Sequence, residues 1–354
     1  MGSERTRLRA VRARAPRVAG VVLAGLGLVV GLSASPAAAA TEGDWINEGG
    51  PARSADALDT AWYNGQFVEI ARGEDNRIWW RYGNRPWRLM PGNARTHVRP
   101  EAVANPIRGA SRFLVVFHTG DDGFAYYSFL QDPNSGRWSG WSRVPGSLRT
   151  HNRVAASYSD DGLTLSTIVN DRIYQQHMDY RDGQAHFRAD WERLQSPLVL
   201  SMDVTDAFTF TQGEQEFYAA KGLTNEVLVA RKRRGDRNAR FTELPGGARC
   251  ESVAIGRGGD PAHLATSPFD PGYAAQQNMA IGCISPNDHQ LYLNRSTDGG
   301  NNWSGWAHSS GGPSPSGAAP EIHGFLGGEV FALLSWGSNT APFKRHMIVM
   351  KRVM

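Results

Sequence analysis

The residues of this 354-residue chain with the most capacity for chemistry are arginines in a repeated setting. Gly50-Pro51-Ala52-Arg53, Gly92-Asn93-Ala94-Arg95, Gly146-Ser147-Leu148-Arg149 and Gly246-Gly247-Ala248-Arg249 share the pattern Gly-x-x-Arg, and two of them continue alike, as Arg95-Thr96-His97 and Arg149-Thr150-His151. A planar guanidinium donates two parallel hydrogen bonds to a carboxylate, so Arg53, Arg95, Arg149 and Arg249 on one surface would suit an acidic sugar. Two reactions would then be open. A lyase needs a base near neutral pH beside a neutralised carboxylate, and His97 and His151 are the candidates. A glycosidase needs a pair of carboxylates, one held protonated. Acids do recur in turns, at Glu74, Asp75, Asp121, Asp122, Asp171, Glu226 and Asp288. The competing reading is that Gly, Asn and Asp form turns and that the arginines and acids pair with each other at a rim.

Tryptophan supplies a second set of candidates in the doublets Trp138-Ser139-Gly140-Trp141 and Trp303-Ser304-Gly305-Trp306. An indole offers a sugar ring a large rigid apolar face and one N–H donor, and it fills the space between packed sheets equally well. Other chemistries lack their signatures: there is no His-Glu-x-x-His, no Cys-x-x-Cys and no phosphate-binding glycine loop. No cofactor and no metal site is expected. The run Arg231-Lys232-Arg233-Arg234 reads as a solvated turn closing a strand and is too short to argue for nucleic acid.

The elements that position these residues follow from a longer repeat. Segments that run from an aromatic residue through a short strand to a turn begin at Trp45, Trp87, Trp141, Trp191, Phe241 and Trp306, and each end in Gly or Ser five residues on. Spacings of about 40 to 65 residues match one four-stranded propeller blade. Three further strand-like runs lie between successive marks, rich in β-branched and aromatic residues and bounded by Gly, Asn and Asp. The reading is all-β: a single β-propeller of about six four-stranded blades spanning 41–354. Blade two is assigned strands at Val98 to Ala104, Arg112 to Phe117, Phe124 to Phe129 and Trp141 to Pro145. The chain ends before supplying a last outer strand, so the segment Trp45 to Gly50 is expected to complete the final blade and close the ring. In this topology the Gly-x-x-Arg segments and the acidic turns open on the same face.

Residues 1–40 place six arginines before an apolar run from Val18 to Leu32 and end in Ala38-Ala39-Ala40, the order of a secretory signal peptide. They hold six of the 38 Lys and Arg and one of the 34 Asp and Glu, so the chain from Thr41 carries 32 bases against 33 acids. The full-length pI near 9.2 therefore gives no ground for a nucleic-acid partner, nor is a membrane partner expected after cleavage. Cys250 and Cys283 are the only cysteines, and in an extracellular, oxidising compartment a cross-strand disulfide between them is expected.

Ser296-Thr297-Asp298-Gly299-Gly300-Asn301-Asn302-Trp303 resembles the Asp box of the sialidase superfamily, whose pattern is Ser-x-Asp-x-Gly-x-x-Trp. Ser296, Asp298, Gly300 and Trp303 would then stabilise a hairpin, without a role in catalysis. The Trp doublets, with Val144-Pro145-Gly146, resemble the repeats of PLL-like bacterial propeller lectins, most clearly from Arg77 to Glu192. The resemblance implies binding of monosaccharides, fucose among them, between blades, with Trp138, Trp141, Trp303 and Trp306 as ligand candidates. Those lectins usually have seven blades, and blades three and four here lack the doublet. The sequence thus supports a secreted carbohydrate-binding propeller with a glycan or polysaccharide partner. A hydrolase or lyase acting on acidic glycans at the Arg-bearing face and a protein-binding propeller are the alternatives, and oligomeric state is left open.

Overall fold

The computed structural model describes residues 45–47, 58–104, 113–159, 162–181, 184–188, 190–209, 213–233, 235–257, 278–308, 320–324, 330–338 and 341–350. Arg53 and the 1–40 segment lie outside them. Apart from one 3-10 turn at Pro91–Asn93, the regular structure among the described residues is β.

A first strand, β1 (Trp45–Asn47), precedes five blades. Blade one is β2 (Asp59–Tyr63), β3 (Gln66–Arg72), β4 (Ile78–Tyr82) and β5 (Arg88–Leu89). Blade two comprises β6 (Glu101–Ala104), β7 (Leu114–Thr119), β8 (Ala125–Asp132), β9 (Arg137–Trp138) and β10 (Ser142–Arg143). Blade three is β11 (Ala155–Ser159), β12 (Gly162–Val169), β13 (Arg172–Arg181), β14 (Gln184–Phe187) and β15 (Glu192–Arg193). Blade four is β16 (Val199–Thr209), β17 (Gly213–Gly222), β18 (Val227–Arg233) and β19 (Arg240–Glu243), and blade five β20 (Ser252–Arg257), β21 (Met279–Ile284), β22 (Leu291–Ser296) and β23 (Trp306–His308). The strands β24 (Pro320–Gly324), β25 (Val330–Ser338) and β26 (Ala341–Met350) form a further antiparallel sheet, in which β1 pairs with β26.

Local turn chemistry explains the hairpins. Asn64 and Gly65 join β2 to β3 with positive φ at both positions, as do Asn170 and Asp171 between β12 and β13. That backbone twist suits a two-residue hairpin, and these residue types tolerate it. The outer strand expected at Trp141 to Pro145 is present as β10, and a further short strand, β9, pairs with β8 ahead of it. Ser139 separates the two: its hydroxyl accepts the Phe129 N–H at 2.9 Å, and Gly140 follows with φ 81°. The inner strand of the same blade begins at Glu101, not Val98.

Second strands show why the blades stack. All six residues of β7 are buried, and their alternation sends them to two cores. Leu114 and Val116 pack with Val68 and Ile70 of blade one, while Val115 and Phe117 pack with Leu163 and Leu165 of blade three. A strand covered on both faces must be apolar throughout, which accounts for the unbroken Phe113 to Phe117 run.

Cys250 and Cys283 form a disulfide with Cα atoms 5.4 Å apart, linking the residues before β20 to β21. The basic run 231–234 departs from its reading as a solvated turn. Lys232 is buried and ion-paired with the buried Glu216, while Arg231 and Arg233 lie on the other face of β18.

Candidate functional site

Arg95, Arg149 and Arg249 share one face, as their loop positions require. Each lies beside the turn between second and third strands of the blade that the chain is leaving. Thr96 N–H donates to Asn76 O at 2.9 Å, Thr150 N–H to Gly123 O at 2.8 Å, and Cys250 N–H to Asn225 O at 2.8 Å. All three arginine side chains are exposed.

Four of the acids of that face are committed to their own turns. Asp75 accepts the Arg77 amide at 3.0 Å, Asp122 the Phe124 amide at 3.1 Å, Asp288 the Gln290 amide at 3.1 Å, and Glu226 the Thr224 amide at 2.9 Å. Partial burial opposes the charge on Asp75 and Asp122, but hydrogen bonds from Arg77 to the first and from Tyr126 and Phe124 to the second outweigh it. At Glu226 the Thr224 hydroxyl leads, and at Asp288 the Ser285 hydroxyl. All four pKa values fall below the ordinary carboxylate range. A hydrogen-bonded carboxylate of this kind stays ionised, the opposite of what a general acid requires. Arg249 pairs with Glu243 at 2.9 Å, and Arg149 lies over the Phe124 ring at 4.7 Å, so the rim is partly self-satisfied.

The two histidine candidates sit on successive linkers. His97 Nε2 is 3.1 Å from Asp121 Oδ1, with both side chains exposed, and His151 is exposed on the next linker. Sequence reasoning passed over His118, which is buried, stacks on Tyr126 at 5.4 Å and meets the edge of Trp141 at 4.4 Å. Burial pushes its pKa down to about 4, so it is neutral at physiological pH.

The tryptophans divide into two kinds. Trp138 is buried edge-on against Trp80, centroids 5.1 Å apart, and presents no free face. Trp141 and Trp306 are half-buried, as is Trp303, and each of the first two covers the glycine of a Gly-x-x-Arg segment from the preceding blade. A Cβ on Gly92 would lie 3.0 Å from Trp141 Cδ1, and one on Gly246 would lie 2.9 Å from Trp306 Cδ1. Blade three repeats the arrangement with Trp191, which sits 3.0 Å from a Cβ built on Gly146. Trp191 was legible as a blade mark, yet its kinship with Trp141 and Trp306 shows only in the fold. Trp141 also donates its indole N–H to Pro91 O at 2.9 Å. Three clefts between consecutive blades thus carry a half-buried indole beside a positive-φ glycine, with an exposed arginine three residues further on.

Gly246→Ala combines a φ of 104° with a clash against Trp306, whereas Gly305→Ala keeps a φ of 88° in open space. The first is expected to lose about 1–3 kcal/mol, more than the second. Urea midpoints at equal slope will measure this, and equal losses would show that the indole yields.

A ring of inner-strand carboxylates went unread in the sequence. Asp59 accepts the Ala102 N–H, Glu101 the Ala156 N–H at 3.0 Å, and Asp203 the Ile255 N–H at 3.0 Å, each from the next blade. Arg153 ties two of them, at 3.3 Å from Glu101 and 3.0 Å from Asp203. Burial, then the charges of Asp59 and Asp203, hold the Glu101 pKa well above the usual range. Asp59 and Glu101 stand at the first positions of their inner strands, whereas Asp203 lies within a strand that holds a second acid, Asp206. Asp59, Glu101 and Asp203 line a cavity of about 170 Å³ among the inner strands and act as blade-to-blade ties.

Asp298 caps the turn before Trp303, taking the amides of Asn301 at 3.0 Å and Asn302 at 2.9 Å, while the Ser296 hydroxyl donates to it at 2.8 Å. Gly300 in that turn lies against Phe217 of blade four. Ser296 and Asp298 thus bond within this turn, and Trp303 packs against the core shared by blades four and five.

No protein-family model matches the sequence, and no curated protein matches it. Solved structures do resemble the fold. A mutant of the Aleuria aurantia lectin in complex with α-methyl-L-fucoside superposes with a TM-score of 0.53 and 9% identity, covering 85% of this chain and 96% of that one. AofleA from Arthrobotrys oligospora gives 0.55 and 10%, over 87% of this chain and 88% of its own. The BP39L lectin from Burkholderia pseudomallei gives 0.50 and 16%, over 81% of both chains. At these identities the likeness is one of fold.

Proposed function

We propose that the chain is a secreted carbohydrate-binding propeller whose sugar sites are the clefts between successive blades. The observation that carries this reading is the triple repetition of one arrangement: Trp141 with Gly92 and Arg95, Trp191 with Gly146 and Arg149, and Trp306 with Gly246 and Arg249. An indole supplies the stacking face and an exposed guanidinium the donors for ring hydroxyls. The lectin folds that resemble this one support the same use, one of them solved with a fucoside. Weak sites repeated around a ring gain strength by engaging a multivalent glycan surface.

The reading extends to organisation. Residues 1–40 act as a secretory signal, and the chain from Thr41 is the functional form. The ring has six blades, the sheet of β24, β25, β26 and β1 being the sixth, with β1 as the closing outer strand. Support comes from the β1–β26 pairing and from Gly256 of blade five, where any side chain would meet Ile322 O of β24. The Ser296–Trp303 hairpin is an Asp box in its structural role.

The test is retention of the chain from Thr41 on arrayed fucosylated, other neutral and acidic glycans at low and moderate salt. Salt-resistant retention on neutral sugars, weakened in Trp141→Ala and Trp306→Ala proteins of unchanged thermal midpoint, is expected. Retention confined to uronic or sialic acids would move the function to an acidic-glycan enzyme, and silence on every sugar would leave a protein partner.

A further inference from the structure

We infer that the outer edge of blade four carries a separate site for a polyanionic polysaccharide, built from Arg231, Arg233 and Arg240. The basic run 231–234 is divided by strand alternation, which turns Lys232 inward to Glu216 and leaves Arg231 and Arg233 together on the opposite face. The register of β18 and β19 then sets Arg240 directly across from Arg231. Like charges directly opposite in an antiparallel pair disfavour the sheet. Here the arrangement stands on an exposed edge, with both Arg233 and Arg240 open to solvent.

Surrounding acids are taken up elsewhere. Glu243 pairs with Arg249, Glu192 with Arg237, and the Asp298 carboxylate with the amides of its own turn. Asp236, in the turn after Arg233, donates its backbone N–H to Arg233 O at 3.1 Å, and its exposed carboxylate is the acid nearest in sequence to the arginines. Among the described residues, no ion pair joins Arg233 or Arg240 to a carboxylate. Arg231 reaches across to blade five, donating to Asn301 Oδ1 at 2.8 Å above the Phe217 ring, which fixes one wall of a groove between the blades. Three guanidiniums spaced along a strand and across a ladder match a chain bearing repeated sulfate or carboxylate groups, which guanidinium forks bind in bidentate fashion. The site is distinct from the indole clefts, so a glycan coat could engage both at once.

The test uses the chain from Thr41 and two immobilised probes, heparin for sulfate and polygalacturonate for carboxylate, eluted with a salt gradient. Wild-type protein is expected to bind at least one of them in a salt-dependent way. Arg233→Ala/Arg240→Ala is expected to lower affinity about tenfold or more with an unchanged thermal midpoint, and Arg95→Ala/Arg149→Ala, on the linker face, to retain it. Arg231 is left intact because it also bridges blades. A wild-type protein that ignores both probes, or an Arg233→Ala/Arg240→Ala variant that binds as wild type does, overturns the inference. Neutral-glycan retention by that Arg233→Ala/Arg240→Ala variant reports separately on the indole clefts.

Discussion

Replacing Glu216 with alanine is expected to destabilise the fold by about 3–5 kcal/mol, because it strands a buried ammonium group. Lys232 has no exposed side-chain surface, and Glu216 has 1%. The carboxylate also receives the Thr164 hydroxyl at 2.5 Å and the Tyr218 hydroxyl at 3.0 Å, joining blade three to blade four. Removing it leaves a charge and two hydroxyls without their acceptor. Glu216→Gln keeps an acceptor oxygen but not the charge, and should fall between alanine and wild type. The double variant Glu216→Leu/Lys232→Met removes both ions and should recover much of the loss, since a buried pair is worth little against apolar packing of similar volume. Urea titrations of the four proteins decide the matter. A Glu216→Ala protein within about 1 kcal/mol of wild type would mean that water reaches Lys232, and would refute the buried-pair account.

Loss of the Cys250–Cys283 disulfide is expected to cost a comparable amount. The bond closes a loop of sequence separation 33, for which the chain-entropy model predicts about 3–4 kcal/mol. Both cysteines are buried in the core shared by blades four and five, so a reductant acting on the native protein would reach them slowly. The double variant Cys250→Ala/Cys283→Ala isolates the effect: its midpoint should fall and its slope should hold or rise, because opening the loop lets the unfolded chain expand. Under fully reducing conditions the wild-type midpoint should approach that of the variant. Equal stability of wild type and variant would show that packing around Val253 and Ile281 holds this blade unaided.

Predicted and observed elements agree best where the signals are local. The second strand of blade two, expected at Arg112 to Phe117, runs Leu114–Thr119, within two residues at each end, because an apolar run bounded by a Gly-Asp-Asp-Gly turn depends only on neighbouring residues. The Gly-x-x-Arg segments and acidic turns shared a face as expected, since strands alternate in direction. Of the arginines read as partners for the acidic turns, Arg249 pairs instead with Glu243 of β19, and among the turn acids Asp121 meets His97. The outer strand of blade two lies within its expected span, as β10, while the separate strand β9 before it went unread, because the serine side chain that bonds at Phe129 is an effect that strand propensity does not register.

The sequence by itself determined the all-β character, the blade repeat, the cysteine pairing and the residue types of the candidate clefts. Turn formers, strand alternation and repeat length are properties of short segments, and they are legible without coordinates. Only the tertiary structure decided which indole is core and which half-exposed, since Trp138 and Trp141 occupy the same doublet yet meet different neighbours. It also turned Lys232 inward, set Arg240 against Arg231, and aligned Asp59, Glu101 and Asp203 with amides 43, 55 and 52 residues further along the chain. Contacts across such separations depend on how one blade seats against the next, and that fit is a property of the packed ring, not of any segment within it.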